Sequence, residues 1–109
     1  MTVFLVALSL LLPTHHPDYR ATVVRPYDSK LERMAMCEST KRWSVVHTVR
    51  DRSGRLVTFY GGLQFDLSTW RSVGGKGYPH QNSELEQKYR AVVLIKRRGY
   101  QPWPTCGYV

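Results

Sequence analysis

Glu38 is the residue of this 109-residue chain whose setting could do chemistry. Leu31, Met34, Ala35 and Glu38 fall at i, i+3, i+4 and i+7, one stripe of a 3.6-residue period. The spacing predicts a helix with a carboxylate on its apolar face. Burial disfavours the charged form and raises a carboxyl pKa. A carboxylic acid kept protonated near neutral pH can serve as a general acid. The bland alternative is a glutamate paired with Lys41 or Arg42 at i+3 and i+4. Periodicity alone leans slightly toward that ion pair.

Other residue types with chemical potential are weaker. Cys37 and Cys106 match no zinc spacing and no C-x-x-C motif. They are either two buried thiols or, in an oxidising compartment, a crosslink. His15-His16 has no acidic or cysteine partner at a metal-binding spacing, so neither metal nor cofactor is expected. His47 reads as a strand surface residue with no nucleophile to serve. Asp66 reads first as a helix N-cap and second as a polar group lining a cleft.

The elements that must position these groups follow in chain order. Ser29-Lys30-Leu31-Glu32 has the form of a capping box, which predicts a helix from about Lys30 to Ser39. Two β-branched runs, Ser44–Arg50 and Arg55–Tyr60, flank the turn Asp51-Arg52-Ser53-Gly54, a hairpin signature. Gly61-Gly62 predicts a tight backbone or the close approach of a ligand to the main chain. Asp66 opens a short helix through Val73, closed by Gly74-Gly75. Ser83-Glu84-Leu85-Glu86, a second capping box, opens a helix running to Arg98, with Gly99 as its stop.

Composition bounds the partners. Net charge is +8, with eleven Arg against five Lys. Such a chain is attracted to polyanions. The charges are scattered and match no nucleic-acid motif, so nucleic acid is not an expected partner. A weak attraction to an anionic membrane or wall polymer is. Val3 to Leu12 is almost wholly apolar and too short to span a bilayer comfortably. Its length suits a secretory leader, without a preceding Lys or Arg or an A-x-A cleavage site.

Taken together, the segments resemble the resuscitation-promoting factor domain of actinobacteria, within the lysozyme and lytic transglycosylase superfamily. The likeness begins at Cys37-Glu38-Ser39 and Trp43. It continues through Tyr60-Gly61-Gly62-Leu63-Gln64-Phe65-Asp66 and Thr69-Trp70, then Gly74-Gly75, to Trp103-Pro104-Thr105-Cys106-Gly107. The resemblance implies an α+β fold: a small, mainly helical lysozyme-like domain with a short β-hairpin beside the cleft and a disulfide between Cys37 and Cys106. It implies Glu38 as catalytic acid, with Tyr60, Gln64, Asp66, Thr69 and Trp70 in or near a glycan groove. Trp70, at a helix position, could equally be core. The implied substrate is the glycan strand of peptidoglycan, cut at the MurNAc–GlcNAc β-1,4 bond. Secretion or attachment to the cell wall, and a monomeric state, are expected.

The expected organisation is a leader or anchor over residues 1–13, a linker or extended arm over 14–28, and the catalytic domain over 29–109. Two departures from the family pattern stand out. Thr40-Lys41-Arg42 replaces the usual Gly-Gly-Asn after Cys-Glu-Ser, and the stretch from Trp43 to Tyr60 is longer than usual. The extra length predicts a protruding basic hairpin.

Overall fold

The computed structural model describes residues 18–109. The expected leader, residues 1–13, and the start of the expected arm, residues 14–17, lie outside the described residues. The described chain opens with a helix, α1 (Tyr19–Val24). This corrects the expectation of an extended arm through residue 28. Six residues are too few to show a period. Asp18 caps α1 by accepting from the Arg20 amide, and tertiary contacts hold the rest. Arg20 pairs with Glu86 at 2.6 Å, and Tyr19 packs edge-on against Tyr89 at 5.5 Å. Packing of this kind stabilises short helices more than propensity does.

A 3-10 turn over Arg25–Tyr27 leads straight into α2 (Asp28–Ser39). The predicted capping box at Ser29 does not form. Tyr27 is already in the right-handed helical region, so the chain makes no extended break for a cap. Ser29 instead accepts from Arg33, and Glu32 pairs with Lys41 and Lys88 at 2.8 and 2.9 Å. The predicted stripe is real: Leu31, Met34 and Ala35 are fully buried.

Strands β1 (Val46–Arg50) and β2 (Leu56–Tyr60) pair antiparallel, with His47 opposite Phe59 and Thr48 opposite Thr58. Asp51 organises the turn by accepting from the amides of Ser53 and Arg55. The chain then folds back so that Tyr60 and Phe65 exchange backbone hydrogen bonds at 2.8 and 3.0 Å. The glycines inside that turn admit protein side chains, not a ligand. A methyl group on Gly62 would lie 2.3 Å from the Trp43 ring, and one on Gly61 would lie 2.3 Å from Gln87 Oε1.

Helix α3 (Leu67–Ser72) starts at Asp66, which caps it as expected. Helix α4 (Glu84–Arg98) is capped by Ser83, which accepts from the Glu86 amide. The Glu86 carboxylate turns to Arg20 and Arg90 rather than back to the cap. From α4, fully buried Gln87 reaches into the turn: its Oε1 accepts from the Gly62 amide, and its Nε2 donates to the carbonyls of Trp43 and Asn82. Every polar atom of that buried amide is thereby satisfied, as burial demands. Lys88 beside it is held by Asp28, Glu32 and Glu84. Burial alone would depress its ammonium pKa, but the hydrogen bonds it donates to Asp28 and Glu32 more than offset this and hold it above the usual lysine value.

The core lies where α2, α3, α4 and the tail meet, around Leu31, Met34, Leu63, Trp70, Val92 and Trp103. The fold of the described residues is a small α+β lysozyme-like domain, mainly helical, with one two-stranded sheet and one disulfide.

Candidate active site

Glu38 sits in the last turn of α2, half-buried at the end of the apolar stripe. The helix stops one residue later on two consecutive left-handed residues, Thr40 (φ 54°) and Lys41 (φ 60°). Their amides donate to the carbonyls of Met36 and Ala35, the closing bonds of a helix terminus that usually has glycine at its left-handed position. That reversal sends Lys41 back to Glu32. Arg42 donates through Nε to the Ser39 carbonyl at 2.8 Å. Neither cation reaches Glu38. Among the described residues, Glu38 has no salt-bridge partner. The ion-pair reading of this residue is therefore set aside. Burial pushes its carboxyl pKa above the ordinary value. The negative end of the α2 dipole works in the same direction.

Glu38 lines a cavity of about 330 Å³. His47, Val49 and Phe59 of the hairpin form one side, Gln64 another, and the tail from Pro102 to Cys106 the floor. A second hollow of about 340 Å³ is lined by Asp66, Thr69, Arg98 and Gln101. Phe59, Gln64, Pro102, Trp103 and Pro104 line both hollows, which makes them two halves of one groove. Trp103 is fixed beneath the junction: it is 4% exposed, and its Nε1 donates to the Leu63 carbonyl at 2.9 Å.

Cys37, the neighbour of Glu38, is bonded to Cys106, with Cα atoms 5.7 Å apart. The tail that floors the groove is thus tied to the helix that carries the acid. Gln64 holds a left-handed backbone (φ 53°), and its Nε2 donates to the Gly61 carbonyl at 2.9 Å. Strained residues of this kind recur at functional sites. The two Asp66 oxygens accept from the Thr69 amide and hydroxyl at 2.7 and 2.9 Å.

The residues singled out in the sequence do not all meet. Glu38 and Gln64 share one half of the groove, and Gln64, Asp66 and Thr69 the other. Tyr60 lines neither; it lies against Tyr78 and His80, with ring centroids 5.5 Å away in both cases. Trp70 is fully buried in the core and donates to the Lys76 carbonyl. Conversely, Phe59, Arg98 and Pro102 line the groove without having been singled out, and so does His47, which the sequence reading set aside as a strand surface residue. Strand alternation carried part of that signal: Phe59 points opposite to Tyr60, and His47 is its cross-strand partner. Among the described residues, no cluster of three or more His, Cys, Asp or Glu is placed to hold a metal ion, and no helix is long and apolar enough to cross a membrane.

A family model described as "Transglycosylase-like domain" matches residues 25–106, well over half of the chain. The chain belongs to that family. Its relatives include resuscitation-promoting factor Rpf of Micrococcus luteus, 45% identical over 76 residues, which covers 70% of this chain and 30% of that protein. Resuscitation-promoting factor RpfE of Mycobacterium tuberculosis is 35% identical over 81 residues, 74% of this chain and 42% of the relative. RpfC of the same species is 36% identical over 74 residues, 68% of this chain and 47% of the relative. The chain spans less than half the length of these curated relatives. The family match includes α2, the hairpin, the groove and the tail, so it covers every residue that lines the two hollows.

Proposed function

We propose that this domain cleaves the β-1,4 bond between MurNAc and GlcNAc in peptidoglycan, with Glu38 as general acid and then base. The observation that carries the reading is an unpaired, half-buried carboxyl with a raised pKa on the wall of a groove, in a chain of the transglycosylase-like family. Protonated Glu38 gives its proton to the glycosidic oxygen as the bond breaks. An oxocarbenium-like centre remains. Water attacking it gives hydrolysis; the sugar's own 6-hydroxyl, deprotonated by the anionic Glu38, gives a 1,6-anhydro end.

A retaining glycosidase ordinarily has a second carboxylate about 5 Å from the first. Asp66 is a poor fit for that role. It lines the other hollow, and both of its oxygens are committed to Thr69. A single-acid mechanism follows, with Asp66 and Thr69 binding or orienting the strand in the far half of the groove. Gln64, placed between the halves, contacts the sugars on either side of the cut. The half-buried Phe59 ring receives a sugar face, and Trp103 supports the groove from beneath.

A second reading, a wall-binding module without activity, is favoured by Thr40-Lys41-Arg42 beside the acid and by the +8 charge. One experiment separates the two. Purified protein is incubated with peptidoglycan, and the soluble fraction is analysed by mass. Release of muropeptides with either anhydro or reducing ends supports cleavage and identifies the nucleophile. Sedimentation of the protein with the walls, with nothing released, supports the binding module and overturns the enzyme.

A further inference from the structure

The hairpin wall beside Glu38 holds an unused polar group. Strand β1 is exposed along all five of its residues. Alternation divides the hairpin into two faces. Val46, Thr48, Thr58 and Tyr60 lie on one, where the Thr48 and Thr58 hydroxyls hydrogen-bond at 3.0 Å. His47, Val49 and Phe59 lie on the other and line the Glu38 cavity. Among the described residues, the His47 imidazole makes no hydrogen bond or salt bridge, and it and Glu38 are the only titratable side chains lining that cavity. Being exposed and unbonded among these residues, the imidazole is free to bond a ligand in that cavity.

The wall is amphipathic at the scale of a sugar ring. One imidazole, with a donor and an acceptor nitrogen, is flanked by the apolar Val49 and Phe59. A pyranose offers the complement, an apolar C–H face rimmed by hydroxyl and amide groups. We propose that His47, with Val49 and Phe59, forms a sugar-binding subsite on the hairpin that holds one aminosugar of the glycan strand next to Glu38. The imidazole hydrogen-bonds a hydroxyl or acetamido group of that ring. His47 is a positioning residue: it contacts substrate through this bond and takes no proton from the reaction. The proposal rests on the reading of Glu38 given above and adds to it a specificity element in the lengthened stretch between Trp43 and Tyr60. Burial is the cause of the raised Glu38 pKa, and His47 lines the same cavity without pairing with the acid.

The test is steady-state cleavage of soluble, uncrosslinked GlcNAc–MurNAc strands by the wild type and by His47→Ala, His47→Gln and Thr48→Val. Thr48 lies on the opposite face and controls for damage to the hairpin. His47→Ala raises KM roughly threefold to tenfold, the worth of one hydrogen bond to a neutral group, with kcat within about twofold. His47→Gln, which keeps a donor and an acceptor, restores most of the loss, and Thr48→Val leaves KM unchanged. Wild-type KM in His47→Ala, or an equal rise in Thr48→Val, overturns the subsite while leaving Glu38 catalysis standing. A wild-type protein that cuts no strand overturns both.

Discussion

Cys37 and Cys106 join the helix that ends in the candidate acid to the tail that floors its groove, across 69 positions of sequence. One bond therefore fixes both the fold and the site. Closing so long a loop contributes about 4 kcal/mol in the chain-entropy account. The double variant Cys37→Ser/Cys106→Ser should lose about that much stability and melt more than roughly 10 °C lower. Thermal unfolding followed by circular dichroism checks this. Equal melting temperatures for oxidised and reduced protein would mean that the tail is held by Trp103 and its neighbours without the crosslink.

Thr40 and Lys41 explain the cost of the departure from the family's Gly-Gly. Both hold left-handed backbones, which are strained for residues with a Cβ and most of all for a β-branched one. Thr40→Gly should raise stability by about 0.5–1 kcal/mol, the strain relieved less the extra chain entropy of glycine. Denaturant unfolding measures it. A loss of stability in Thr40→Gly would show that the threonine hydroxyl, which donates to the Ser39 carbonyl, outweighs the strain.

The pH dependence follows from the sign of the Glu38 shift. Its folded pKa lies above the unfolded value because burial disfavours the charge. Its favourable contribution to stability is therefore complete below the unfolded pKa and is lost as pH rises through the folded one. Glu38→Gln should leave stability unchanged at low pH and raise it near neutrality. Melting curves at pH 3.5 and pH 7.5 test this. A variant less stable than wild type at the higher pH would mean that the carboxylate has a stabilising partner. Glu32 runs the other way: hydrogen bonds from Lys41 and Lys88 hold its pKa down, so its contribution is present above the unfolded value and fades as pH falls through the folded one.

Much of this molecule is legible in the chain. The stripe ending at Glu38, the hairpin, the Asp66 cap and the long helix α4 each carry a local signal of period, turn or cap. The family likeness names the disulfide and the fold. What the sequence hides depends on distant partners. Helix α1 has six residues and is fixed by Tyr89 and Glu86 on α4. The Ser29 box looks right locally but loses to a continuous helical entry from Tyr27. Gly61-Gly62 reads as a tight backbone or the close approach of a ligand; the turn is tight, with Gly61 at φ 83°, and Gln87 and Trp43 fill the space beside it. Trp70 and Tyr60 sit inside the most family-like string but face the core and the back of the hairpin. His47 was set aside for lack of a nucleophile; only the fold shows that its face of β1 meets Glu38.

The central claim is that Glu38 is the acid that breaks the glycan. The most direct measurement compares wild type with Glu38→Gln for release of soluble muropeptides from purified peptidoglycan, after circular dichroism has shown both proteins folded. The wild type should release product, and the variant should be slower by at least about a hundredfold, as expected when a general acid is lost. Release at equal rates would contradict the claim.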